Sequence, residues 1–289
     1  MADSMSRFAR SLRLIKASME VLRNDNALLV LPAISGVATM LTAGGFVALA
    51  FSDGTFAAMQ AAGRHHHPPA GFYAWLFCMY VVQYFVVIFF NTALVGTAIV
   101  LLGGGRPTVW DGLRLALSRI GAILGYAVIS ATVGVLLQFV AERLGFIGRL
   151  IGATAGLAWT AATFLVVPIL AAEGIGPLEA VERSSELLRK TWGENLIGNA
   201  GISLVMSSIS AVIAVVGFGG GMLLFKHGYE VLGVALISGA ATAFILVVLV
   251  TAALSGIYSA AVYWYATSGT PPVDFDGDLI PAAFTRKAS

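Results

Sequence analysis

The sequence is poor in charge. Asp, Glu, Lys and Arg make up 11% of its 289 residues, against about 25% in a typical soluble domain. With a mean hydropathy of +0.88, the chain has too little polar surface to cover itself in water, which excludes a soluble enzyme and a secreted disulfide scaffold. Cysteine is nearly absent as well. Cys78 is the single thiol, so neither an internal disulfide nor a cysteine-built metal site can form. Its place in an apolar run predicts a buried, inert side chain. No basic stripe with interleaved aromatics is present, which argues against nucleic-acid binding. The opening MADSMSRFARSLRLIKASMEVLR has no apolar stretch of sufficient length and no small-residue cleavage site, so it is not expected to be a signal peptide.

What the chain has in abundance is long apolar runs. A hydrocarbon core of ~30 Å needs roughly 20 residues of helix. Six stretches qualify, at about 27–51, 72–102, 120–140, 150–172, 196–225 and 231–267, and none carries an acidic or basic residue in its central part. Helix is the form lipid permits, because it offers unpaired peptide groups no partner. The expected fold is therefore all-α, a polytopic bundle of six transmembrane helices. The second, fifth and sixth runs exceed one span and are expected to tilt or to continue beyond the membrane.

Charge orients the bundle. With the N-terminus in the cytoplasm, Arg7, Arg10, Arg13, Lys16, Arg23, Arg106, Arg114, Arg119, Arg183, Arg189, Lys190, Arg286 and Lys287 lie inside, 13 of the 17 basic residues. Arg64, Arg143, Arg149 and Lys226 lie outside. The positive-inside rule thus predicts a multi-pass cell-membrane protein with both termini cytoplasmic. Phe72, Tyr73 and Trp75 then sit at the outer boundary, and Tyr263, Trp264 and Tyr265 at the inner one.

A threefold pattern overlies this topology. Each odd-numbered span follows a cytoplasmic segment with apolar residues at helical spacing: Phe8, Leu12, Ile15, Met19 and Leu22; Trp110, Leu113, Leu117 and Ile120; Leu178, Val181, Ser185, Leu188 and Trp192. Thr108 and Asp111 have the spacing of a capping box, Pro177 suits a first helical turn, and Glu186 and Lys190 suit an i,i+4 pair. The chain reads as a single membrane domain of three units, each an amphipathic surface helix plus a transmembrane hairpin, over about 4–102, 106–172 and 176–267, with a cytoplasmic tail at 268–289. Phe8, Leu12, Ile15, Met19, Trp110, Leu113, Leu117, Leu188 and Trp192 are the expected contacts with the membrane surface.

The opening FARSLRLIKASMEVLRNDNALLVLPAISG resembles the start of an uncharacterised bacterial family of six-span integral membrane proteins. YFVVIFFNTALVGTA, VVPILAAEGIGPLEAVERSSELLRKTWGENLIG and PPVDFDGDLIPAAFTRK extend the resemblance over nearly the whole chain. The 166–198 stretch is also similar to the membrane part attached to some glycerophosphodiester phosphodiesterases. The chain has no room for their catalytic barrel, so the resemblance implies topology and no activity.

The remaining signals each carry two readings. Gln83 and Asn91 lie within the second span, where an amide is costly unless hydrogen-bonded. They suit either a helix–helix bond or the lining of a solute cavity, as do Ser207, Ser210, Thr251 and Ser255. The ladders Gly148-Gly152-Gly156, Gly121-Gly125 and Gly217-Gly221 suit close helix packing, with a hinge at 217–221 as the alternative. Pro32 and Pro168 suit kinks near the inner ends of the first and fourth spans. Adjacent histidines at 65–67 cannot converge on one ion, and Asp274, Asp276 and Asp278 lack the distal glutamate of a calcium loop. No metal or cofactor is expected.

Intramembrane hydrolysis needs a nucleophile with a base, paired acids or metal ligands, and the spans supply none, so the protein is not expected to be an enzyme. The leading expectation is a non-enzymatic envelope protein that binds membrane lipid, a protein partner or a second copy of itself through its cytoplasmic amphipathic helices. The alternative is a small transporter or permeation pathway for a neutral or apolar solute.

Overall fold

The computed structural model describes residues 27–52, 54, 70–143, 145–191 and 205–270. The described residues are helical throughout apart from short turns. The helices are α1 (Ala27–Ser52), α2 (Ala70–Leu102), α3 (Val109–Ser118), α4 (Ile120–Arg143), α5 (Gly145–Ala162), α6 (Val166–Ala172), α7 (Pro177–Thr191), α8 (Val205–Lys226) and α9 (Glu230–Ser268). Six stretches are long and apolar enough to cross a membrane: Leu28–Ser52, Tyr73–Leu102, Ile120–Ala141, Gly148–Ala172, Val205–Lys226 and Glu230–Ser268. The chain is therefore a multi-pass membrane protein, and each span falls where hydropathy predicts it. At 39 residues, α9 measures about 58 Å at the α-helical rise of ~1.5 Å per residue, well beyond the ~30 Å hydrocarbon core.

Local chemistry sets the boundaries. Past α2 the chain turns at Gly104, whose φ of 82° favours glycine. Pro177 opens α7 at the first helical position, where its missing N–H costs nothing. The α8–α9 turn passes through Gly228 at φ 83°, and α9 stops at a left-handed Gly269. Pro32 lies inside α1 without ending it. The fourth span, by contrast, is interrupted: α5 stops at Ala162, residues 163–165 form a turn, and α6 resumes with Pro168 in its first turn. A proline clashes with the carbonyl four residues before it, so the break sits where Pro168 requires it.

The chain forms two compact units. The first comprises Met1–Pro32, Ala98–Gly105 and Thr191–Ser289, and its described part is dominated by α8 and α9. Here the glycine ladder is a packing surface. A Cβ on Gly217 would overlap the Ala240 side chain, one on Gly221 would overlap Ile237, and one on Gly233 would press the Phe225 ring. The stretch Ala214–Gly219 is π-helical, one wider turn within α8.

The second unit comprises Ala33–Thr97 and Arg106–Lys190. Its α4–α5 hairpin closes through Gly152, which lies against Ala141 and the Leu137 carbonyl, and Gly156, which faces Leu137. Of the Gly121-Gly125 pair only Gly125 packs, against Pro177; Gly121 faces open space. Helix α3 lies closely on α2, since Cβ atoms on Gly96 and Gly112 would overlap Leu115 and Thr97 respectively.

Burial is uneven along the spans. Every residue from Thr92 to Ala98 and from Gly256 to Tyr263 is buried. Few residues in the apolar windows of α1, α8 and α9 are buried, as suits side chains facing acyl tails. Cys78 is a correction to the sequence reading: it is exposed on α2. In a membrane helix an apolar thiol gains little from turning inward, because lipid is as apolar as the bundle interior.

Gly217→Ala should destabilise the first unit by about 1–3 kcal/mol through overpacking. Ala240→Gly should restore much of the loss, and Gly219→Ala, which meets nothing within 4 Å, should be neutral or stabilising. Thermal unfolding of the purified protein in detergent measures all three.

Candidate functional site

Helix α3 starts from a capping box. Thr108 Oγ1 accepts from the Asp111 N–H at 3.2 Å, and Asp111 Oδ2 accepts from the Thr108 N–H at 2.9 Å and its hydroxyl at 2.7 Å. These bonds, chiefly the one from the hydroxyl, hold the Asp111 carboxyl below the usual carboxylate range. Glycine and alanine form the inward face, where Gly112 and Ala116 are buried. Of the large apolar residues, Leu115 packs on Gly96 of α2 and Leu113 is half-buried, while Trp110 is 59% and Leu117 49% exposed, as is Ile120 (46%) at the start of α4. Arg119 follows as the C-cap. Its guanidinium packs on Gly174, which has φ +67° and no side chain to obstruct it.

Helix α7 is anchored from the opposite direction. The interruption before α6 frees the Leu165 N–H, and the fully buried Ser184 Oγ accepts from it at 3.1 Å. That bond draws the Ser184 face inward, so Ala180, Leu187 and Leu188 are buried with it. The sequence spacing places Leu178, Val181, Ser185 and Leu188 together on the membrane side. Leu178 is 71% exposed and Val181 half-buried, and Ser185 bonds back to the Glu182 carbonyl. Leu188, expected at the membrane surface, is buried because it stands one turn beyond Ser184. On the outer side of α7, Arg183 Nη1 lies 3.1 Å from Glu186 and its Nε 3.6 Å from Glu173. The Glu186 hydrogen bond raises the Arg183 pKa. Such solvated pairs contribute little stability. The Lys190 side chain, Trp192 and the segment bearing Phe8, Leu12, Ile15 and Met19 lie outside the described residues, as do the histidines at 65–67.

The intramembrane polar residues separate by role. Gln83 joins two spans, its Nε2 donating to Thr42 Oγ1 at 3.2 Å and to the Thr39 carbonyl at 3.4 Å. Thr42 in turn donates to the Ala38 carbonyl at 2.8 Å. Asn91 is half-buried in α2. Ser207 is exposed, and Ser210 and Ser255 are half-buried. Thr251 donates to the Val247 carbonyl of its own helix at 2.6 Å. A crevice of about 170 Å³ opens between α2 and α4, lined by Tyr80, Tyr84, Ala131, Gly134, Val135 and Gln138. None of the six polar residues singled out from the sequence lines it. Two tyrosines four residues apart share one helix face, and that spacing is the signal that marks it.

The model of a family of unknown function, DUF6159, matches residues 70–272, well over half of the chain. The chain belongs to this family. The DUF6159 match begins at the start of α2 and runs just past α9, so α3, the interrupted fourth span, α7 and the crevice all fall within it. No curated protein matches the chain.

Two outcomes follow for this DUF6159 member. Ser184→Ala should cost about 1–3 kcal/mol by leaving a buried N–H unpaired, read as a lower melting temperature. The depressed Asp111 pKa makes its cap fully effective above the ordinary carboxylate range and lost as pH falls through the lowered value. Hydrogen exchange at 109–113 should therefore accelerate, relative to the intrinsic rate, in strong acid. In Asp111→Asn that pH dependence should vanish.

Proposed function

We propose that this DUF6159 member is a non-enzymatic envelope protein that binds lipid at the inner surface of the cell membrane. The binding element is the set of short helices that precede its odd-numbered spans. One observation carries this reading: α3 buries Gly112 and Ala116 and leaves Trp110 and Leu117 exposed. A water-facing helix would bury the large residues and expose the small ones. Tryptophan favours the headgroup region, and the exposed Arg106 and Arg114 beside it would each gain about 1 kcal/mol near anionic lipid.

The orientation rests on the 13 of 17 basic residues on one side of the topology. The non-enzymatic reading rests on spans whose apolar centres hold no acid, base or histidine. We read α3 with α4–α6, and α7 with α8–α9, as two copies of one unit, the segment around Leu12, Ile15 and Met19 opening the first copy.

A single cysteine placed at 110 in a Cys78→Ser background, labelled with a polarity-sensitive fluorophore and reconstituted in nanodiscs, tests the assignment. Its emission should shift to the blue and be quenched by brominated lipid, while the same label at 111 should report water. Equal wetness at both positions would exclude a lipid-facing α3.

A further inference from the structure

The crevice between α2 and α4 lies in one half of the bilayer whichever face is inside. Tyr80 and Tyr84 follow the start of their span at Tyr73, which puts them about 10 and 16 Å deep at ~1.5 Å per residue. Gln138 stands just before the end of its span at Ala141, about 5 Å from the boundary. The pocket thus runs from the headgroup boundary into the acyl region. Buried Ala131 and the missing side chain of Gly134 make its floor, and Tyr84, Val135 and Gln138 border it on exposed positions.

The phenols of Tyr80 and Tyr84 face a region that supplies almost no water. Polar groups in hydrocarbon are costly without a hydrogen-bond partner. No charged residue lines the crevice, so nothing there selects an ionic group. Its volume, about 170 Å³, is close to the roughly 150 Å³ that accommodates one benzene-sized group. We propose that the crevice binds a neutral amphiphile by a carbonyl acceptor on an apolar stem, which the ester and first acyl carbons of a membrane phospholipid would supply. Tyr80 and Tyr84 donate to the carbonyl, and the stem lies over Gly134 and Ala131. This site is independent of the surface role of α3.

The full chain, purified in mild detergent, allows the test by native mass spectrometry, with methyl decanoate as a defined probe. Gly134→Leu fills the crevice; Tyr80→Phe/Tyr84→Phe keeps its shape and removes two donors. The wild type should retain one phospholipid that Gly134→Leu lacks, and the tyrosine variant should bind methyl decanoate roughly fivefold more weakly, as the loss of about 1 kcal/mol of hydrogen bonding implies. A wild type that retains no phospholipid, yet binds methyl decanoate where Gly134→Leu does not, identifies a free amphiphile as the source. Equal lipid retention and equal probe binding in wild type and a monodisperse, helical Gly134→Leu would overturn the proposal. Should Gly134→Leu aggregate, unchanged probe affinity in the tyrosine variant would overturn it as well.

Discussion

A peptide N–H that leaves its helix inside a membrane has no water to turn to, and the fourth span meets this constraint at Leu165. Pro168 cannot continue α5, so the helix stops and an amide is released. Ser184, from a helix outside the spans, accepts it. Much of the second unit follows from that bond. It fixes which side of α7 is inward, seats Pro177 on Gly125 and brings the chain past Gly174, where Arg119 packs. A serine that looks interchangeable with its neighbour is thereby the tie between an interrupted span and the helix that follows it.

Elsewhere the helices meet through what their side chains omit. Lipid tails are as apolar as leucine, so burying large residues between spans gains little, and close approach depends on small ones. Gly217 against Ala240, Gly112 against Thr97 and Gly152 against Ala141 are the same solution in three places. Large apolar residues are then free to face outward, which makes exposure in this molecule the reverse of a defect. Cys78 and Trp110 follow this logic, one on a span and the other on a surface helix.

The spans, the capping box and the packing role of the ladder glycines other than Gly121 were legible in the sequence because each rests on local spacing. Hydropathy marks a span without reference to any neighbour, and Thr108 and Asp111 are three residues apart. The inward face of α7 was not legible. Its apolar periodicity joins Leu188 to Leu178 and Ser185 on one face, and the burial of Ser184 and Leu188 depends on a helix break nineteen residues away. The partner of Gln83 was hidden for the same reason: Thr42 lies on another span, and a threonine that can bond to its own helix gives no sign of a second role. The crevice was not legible, because Tyr80 and Tyr84 give no sign of Gly134 and Ala131 on another span beside them.

The π turn in α8 accommodates one more residue than a regular helix would over the same rise. Removing a single residue between Ala214 and Gly219 would let the turn relax to ordinary α-helix while the flanking segments keep their facing. A deletion of one position, ruinous to most transmembrane rods because it rotates everything beyond it by about a hundred degrees, has a built-in place of absorption here. Length variation among related chains would concentrate at this turn.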